Sequence, residues 1–351
     1  MYFASDNWAG AHPDVAAALN EAAGGFDPAY GSGAWDKRVI ARFSEIFERD
    51  VAVFFVSTGT AANSLSLASV AKVGGVVFCH PEAHIREDEC GAPEFLSGGL
   101  RLHAVEGARG KIDPSLLHEA IGLFPPGFVH GGRPAAVSIT QASEIGTVHS
   151  LAEIDAIADV ARTHGLLLHM DGARFANALV ALDCSPADMT WRRGVDLLSF
   201  GGTKNGCWCA EAVVLFDPSR AGEFAFHHKR AAQLFSKSRF VAAQFEAYFA
   251  GDLWLSNARH ANAMAQRLAS MFEGLPTARL AWTPDANEVF PILKKHTADR
   301  LKAEGAAFYD WRAPHWYDGS IADDEVLCRF VTSFATEEES IVTTGSIANS
   351  V

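Results

Sequence analysis

Seven short apolar runs punctuate the first two thirds of the chain, at 51–56, 75–79, 100–105, 135–139, 166–170, 197–200 and 212–216. Each is of strand length. Between them, 61–73, 114–123, 151–164 and 186–191 read as helices. Strands alternating with helices predict an α/β layered fold with a mostly parallel sheet. The functional residues of such a sheet lie at the carboxyl ends of its strands. Ahead of the first strand, 13–23 opens on Pro13 and closes on Gly24 and Gly25, which are helix start and stop signals. Residues 25–33 read as a loop, and 36–48 carries Val39, Ile40, Phe43, Ile46 and Phe47 at helical spacing. Residues 1–12 are short and polar, which predicts an arm rather than a helix.

After Phe216 the rhythm changes. Residues 219–272 are largely helical, with apolar stripes at 240–249 and 255–272. Short strands at 289–293, 307–309 and 326–331 then surround a helix at 294–304, and a last helix lies near 337–347. The expected division is an arm and large domain over 1–245 and a smaller α+β domain over 246–351.

Composition narrows the function. With 351 residues, 49% of them apolar, the chain can bury a sizeable core. A net charge of −13 argues against a nucleic-acid partner, which calls for a basic face. The longest apolar runs are too short to span a bilayer, so no membrane partner is expected. The first residues lack the basic start and apolar stretch of a signal peptide. The six cysteines match no zinc spacing, and Cys207 and Cys209 are separated by one residue rather than the two of a redox pair. Most of them read as small buried hydrophobes, in a reducing, cytoplasmic setting. His227 and His228 are adjacent, not at metal-ligand spacing, and no catalytic metal is expected.

Two segments concentrate the chemistry. The run 166–170 delivers Asp171 at a strand's carboxyl end, and 199–204 ends a strand in a polar turn that presents Lys204. Taken singly, these are a turn aspartate and a surface lysine. Together they are what pyridoxal phosphate needs. A lysine amine forms a Schiff base with its aldehyde, and a carboxylate keeps a proton on the pyridine nitrogen. Thr58, Gly59 and Thr60 lie between a strand and a helix, and read equally as an ordinary N-cap or as a phosphate cradle. His84 is a loop histidine or an imidazole able to stack on a pyridine ring. Glu89 lies in an acidic turn, either solvated or turned inward to tune His84. Arg174, close after Asp171, is the residue type that clamps a carboxylate in bidentate fashion. Arg329 is a charge inside an apolar strand, facing solvent or a second carboxylate contact. Lys237 and Arg239 belong to a basic stretch that is a solvated face or a cation for a phosphate across a subunit interface.

Ser5-Asp6, 27–31 with Tyr30, Thr58-Gly59-Thr60 with Asn63, His84, Glu89 with Gly91, the run 169–174, Lys204 and Arg329 together resemble the low-specificity L-threonine aldolases. These belong to the β-eliminating lyase group, with the aspartate-aminotransferase type of fold (fold type I). The likeness runs over nearly the whole chain, and the run His169-Met-Asp-Gly-Ala-Arg174 is its most specific part. The resemblance implies Lys204 as the Schiff-base lysine with Thr203 beside it, Asp171 at the pyridine nitrogen and His84 stacked on the ring. It implies Thr58, Gly59 and Thr60 at the phosphate, with Arg239 reaching a neighbour's phosphate. Ser5, Arg174 and Arg329 then clamp the carboxylate of an amino-acid substrate, with Tyr30 close by. It also implies a homotetramer, a dimer of dimers with active sites at the dimer interface.

One stretch departs from the family. Where many members carry a Thr-His-Asn-Arg segment, this chain has 140–146 without histidine or arginine. Gln141 is expected to contact the ring oxygen or the substrate instead. The expected catalytic base is His84, acting directly or through water and backed by Glu89. The expected reaction is cleavage of L-β-hydroxy-α-amino acids to glycine and an aldehyde. The alternatives are a β-eliminating lyase, an aminotransferase, or a cofactor-binding protein without turnover.

Overall fold

The computed structural model describes residues 1–350. The apolar runs form one seven-stranded sheet: β1 (Ala52–Val56), β2 (Gly75–Cys79), β3 (Arg101–Ala104), β4 (Arg133–Thr140), β5 (Leu167–Gly172), β6 (Leu197–Gly201) and β7 (Glu211–Leu215). Their spatial order is β1-β7-β6-β5-β4-β2-β3. From β6 through β3 the neighbours run parallel. β7 is antiparallel to both β6 and β1. The fold is thus α/β as the alternation predicts.

Helices cover both faces. On one side, Phe43 from the helix Ala34–Ile46 meets Phe200, Phe245 and Phe249 edge-on at 5.2, 5.3 and 5.0 Å. On the other, the helix Gly59–Val70 packs against Val77, Ala136, Leu197 and Val213. That helix is buried on nearly every side, so its sequence shows little amphipathic stripe. It starts two residues earlier than its apolar pattern, because Thr58 Oγ1 accepts the Ala61 N–H and closes the first turn. The helix Phe175–Leu182 escaped the sequence pattern for a similar reason: it is apolar almost throughout and begins directly after Arg174.

A second, antiparallel sheet holds β8 (Ala278–Leu280), β9 (Glu288–Val289), β10 (Pro291–Lys294), β11 (Tyr309–Asp310) and β12 (Glu325–Val331). The single apolar run 289–293 is split there, β9 pairing with β12 at Phe330 and Val331 and β10 further along the same strand. The helix Leu253–Glu273 places Met264, Leu268 and Phe272 in this lobe's core. The arm joins the same core. Phe3 is fully buried, donates its N–H to Ala307 O and accepts the Val331 N–H, each at 2.8 Å. Among the described residues, no helix is long and apolar enough to cross a membrane.

Phe200 lies at the hub of the aromatic cluster, in the strand that leads to Lys204. Phe200→Ala is expected to cost about 3–5 kcal/mol of stability, read from the shift in urea midpoint. A loss under about 1 kcal/mol would show that the aromatic cluster does not act as a packed unit.

Candidate active site

The carboxyl ends of the parallel strands open onto a cavity of about 850 Å³. Asp171 reaches it from β5, Lys204 from the β6–β7 connection, and Thr58, Gly59 and Thr60 from the start of the helix Gly59–Val70. His84 comes from the loop after β2, Ser5 from the arm and Arg329 from β12. Residues far apart in the chain thus meet because strand ends, the arm and the second sheet share one space.

A buried amide ties the centre together. Asn63, one turn into the helix, donates from Nδ2 to Asp171 Oδ2 and to Glu89 Oε1, both at 2.8 Å. The other Asp171 oxygen accepts the Ala173 N–H at 3.0 Å. Glu89 Oε1 also contacts His84 Nδ1 at 2.9 Å. The hydrogen bond to Glu89 is the main influence raising the His84 imidazole above its ordinary value, against the opposing effect of burial. Burial in turn raises the Glu89 carboxyl, whose Oε2 is buried without a partner. Asn63 appears in the sequence pattern with no role attached. The available signal is a polar residue among apolar ones on a buried helix.

At the helix start, the N–H groups of Gly59 and Thr60 have no intrahelical acceptor, as at any helix N-terminus. No atom crowds the space where a Gly59 Cβ would stand. Backbone donors and open space there can hold an anion. Lys204 sits in a turn held by its neighbours. Glu211 Oε1 accepts the Thr203 N–H at 3.3 Å, and Asn205 Nδ2 donates to Tyr248 Oη at 2.6 Å. Burial pushes the Glu211 carboxyl up to about 7, although Thr203 and Lys204 pull the other way.

The arginines form a buried ion network. Arg174 grips Asp6 in bidentate fashion, Nε to Oδ2 at 2.8 Å and Nη2 to Oδ1 at 3.1 Å. Its Nη2 also lies 3.4 Å from Glu288. Arg329 donates to the same Glu288 oxygen and stacks over Trp311 at 4.9 Å. Burial alone would raise the Asp6 carboxyl, yet Arg174, helped by Lys204, holds it below the usual carboxylate range. Burial alone would lower Arg174, and Asp6 and Glu288 turn it the other way. Asp6 and Glu288 hold the Nε and Nη2 edges of these guanidiniums, so among the described residues the Nη1 groups of both are free for the cavity.

One expected contact fails, and two residues expected at or near a neighbour's site lie outside this chain's cavity. Gln141 is fully buried and turned away from the cavity: Nε2 donates to His149 O and Oε1 accepts the His149 N–H, both at 2.9 Å. With its amide spent on closing a loop, it has no atom to offer a ring or a substrate. Tyr30 is exposed, lies 5.6 Å from Lys229 Nζ and does not line this chain's cavity. Arg239 also lies outside it, with Nη1 on the carbonyls of Gly24 and Gly25 at 3.3 Å.

The cavity therefore offers an anion site, a carboxylate for a cation, one amine, and two guanidiniums beside a hydroxyl. Comparison with known proteins agrees with that set. Residues 2–296 match the family model described as beta-eliminating lyase. The low specificity L-threonine aldolase of Pseudomonas aeruginosa is 43% identical over 307 residues, 88% of each chain. That of a Pseudomonas sp. strain is 40% identical over 336 residues, 96% of this chain and 93% of the relative. A solved structure of Leishmania major threonine aldolase superposes with a TM-score of 0.91 at 26% identity, covering 100% of this chain and 99% of that one.

The His84–Glu89 contact predicts a pH signature. A raised imidazole contributes stability fully below the unfolded value of about 6.5 and loses it as pH rises through the folded midpoint. Glu89→Gln is expected to lower the His84 midpoint, followed by NMR of the ring Cε1 proton. An unchanged midpoint would count against the pairing.

Proposed function

Because this chain belongs to the beta-eliminating lyase family, we propose that it is a pyridoxal-phosphate-dependent aldehyde-lyase. It cleaves L-β-hydroxy-α-amino acids of the threonine, allo-threonine or phenylserine type to glycine and an aldehyde. One observation carries the reading: Lys204, Asp171 and two arginines with free edges share a single cavity with an open helix N-terminus. The residues fit the cofactor. Thr58, Gly59 and Thr60 offer hydroxyls and unpaired N–H groups to a phosphate, Asp171 a carboxylate to a protonated ring nitrogen, and Lys204 an amine to the aldehyde. Pyridoxal phosphate, when bound, supplies an electron sink for the pair left on Cα as Cα–Cβ breaks.

The protein's residues do the rest. Arg174 and Arg329 hold the substrate carboxylate, with Ser5 adding a hydroxyl. That grip fixes rotation about Cα and so decides which bond lines up for cleavage. Asp6 and Glu288 keep the two guanidiniums in place by occupying their other edges. Asn63 holds the Asp171 carboxylate in place, which would present it to a ring nitrogen of the bound cofactor. His84, anchored by Glu89, covers the site from the loop after β2. We also propose a homotetramer in which Tyr30 and Arg239 serve a neighbour's site. Both lie outside their own chain's cavity, and Phe26 and Tyr30 are exposed aromatics. A cytoplasmic setting and a division into 1–245 and 246–351 complete the reading.

The test is a coupled aldehyde assay on L and D threonine, allo-threonine and phenylserine, with and without pyridoxal phosphate. Aldehyde and glycine in equal amounts from the L forms are expected. Ammonia and a keto acid would instead indicate elimination. Lys204→Ala should abolish both aldehyde release and the yellow cofactor absorbance, and full activity in that variant would remove Lys204 from its role. His84→Asn should lower turnover more than cofactor content. If both stay unchanged, His84 acts neither on the ring nor on the substrate.

A further inference from the structure

The loop that follows β4 is built to hold one side chain. Gln141 brackets the His149 peptide from both sides. Within that bracket Ser143 donates its N–H to Thr147 O at 2.9 Å, their hydroxyls meet at 2.6 Å, and Thr147 Oγ1 donates to Arg109 O at 2.7 Å. The second sheet's lobe presses on the same loop. Trp282 Nε1 donates to Ile145 O at 2.9 Å, and Gly146, at φ +73°, leaves no room for a Cβ, which would lie 2.7 Å from Glu288 O. Beside Ala142 and Ile145, the ionisable residue this frame delivers to the cavity is Glu144. Its Oε1 accepts the His84 backbone N–H at 3.0 Å.

Glu89 engages His84 at Nδ1, which leaves only Nε2 of that ring to the cavity. Glu144 brings a second proton acceptor to the same cavity from the neighbouring loop. Resting on the aldol reading above, we propose that Glu144 is the catalytic residue that takes the proton of the substrate's β-hydroxyl. The hydroxyl O–H bond breaks and an O–H bond to Glu144 forms. The released pair becomes the second bond of the aldehyde carbonyl, and the Cα–Cβ pair stays with Cα. Glu144 then releases its proton to solvent and a solvent proton joins Cα, so glycine and aldehyde together match the substrate atom for atom. The groups facing Glu144 are His84 with Glu89 behind it, Asp171 and Arg174. Burial, then Asp171, pushes the Glu144 carboxyl up to about 7, while His84 pulls it down. A base titrating near the working pH is in the efficient range.

Glu144→Gln tests the assignment, because glutamine keeps an oxygen for the His84 N–H. Expected are a fall of about 10²–10⁴-fold in threonine cleavage and loss of the acidic limb of its pH profile, with hydrogen–deuterium exchange at Cα of glycine kept within about three-fold. That exchange needs Lys204 and the cofactor but no β-hydroxyl. In the cofactor-free protein, the carboxylic C=O infrared absorption that titrates near neutral pH should lose the share of Glu144 and keep that of Glu211. Cleavage retained within about five-fold, or exchange falling in step with cleavage, overturns the assignment. So does a His84→Asn variant that loses cleavage while Glu144→Gln keeps it. A wild-type protein that exchanges glycine yet cleaves none of the three substrates overturns the aldol reading itself, and this role with it. Wild-type cleavage matched by Glu144→Gln overturns the role alone.

Discussion

A guanidinium buried away from water must be compensated on the spot, and the placement of Arg174 imposes that condition on three distant parts of the chain. Its partners are Asp6 on the arm and Glu288 on β9, and Glu288 in turn takes Arg329 from β12. An isolated buried charge costs several kcal/mol, so each part is stable only with the others in position. The arm, the large sheet and the small sheet therefore come together at the cavity by electrostatic necessity, not only by apolar packing. Shape-matched hydrophobic contact, such as that of Phe3 against Phe330, then fixes the distances.

A second constraint works at shorter range. The two hydrogens of the Asn63 amide are shared between two carboxylates that would otherwise repel each other. Asp171 and Glu89 can thus stand on either side of one amide. The first acid faces the cavity from β5, and the second takes hold of His84. A helix whose first turn offers bare N–H groups carries this asparagine on its second turn. The anion site and the acid that faces it are consequently parts of one rigid element and its nearest strand.

Much of this was legible in the chain. The large-sheet strands are continuous apolar runs, and a run of that kind admits little besides a buried strand. Asp171, Lys204, Thr58 and Arg174 were readable from strand ends and a helix start, whereas His84, Arg329 and Ser5 were singled out by the family resemblance; all seven line the cavity. Other residues were not readable, for physical reasons. Glu288 sits in a two-residue strand with no periodicity to announce it. Asn63 is a small polar residue inside a helix that is buried all round. Gln141 stands next to the cavity in sequence, but a one-residue difference along a loop decides whether a side chain points into the site or into the core. Glu144, three positions on, takes the inward place.

The connection that carries Lys204 joins two antiparallel neighbours, β6 and β7, and is pinned along its length. Gly202 donates to Ala210 O, Asn257 donates to Asn205 O, and Asn205 is held by Tyr248 and Trp254. The backbone beneath the amine has nowhere to go. In the role proposed for Lys204, releasing and recapturing a covalent partner is then left to rotation within the lysine's own flexible stem, a side-chain motion of nanoseconds or faster rather than a loop opening of microseconds or more. A turnover paced by slow motion would have to find that motion in another part of the molecule.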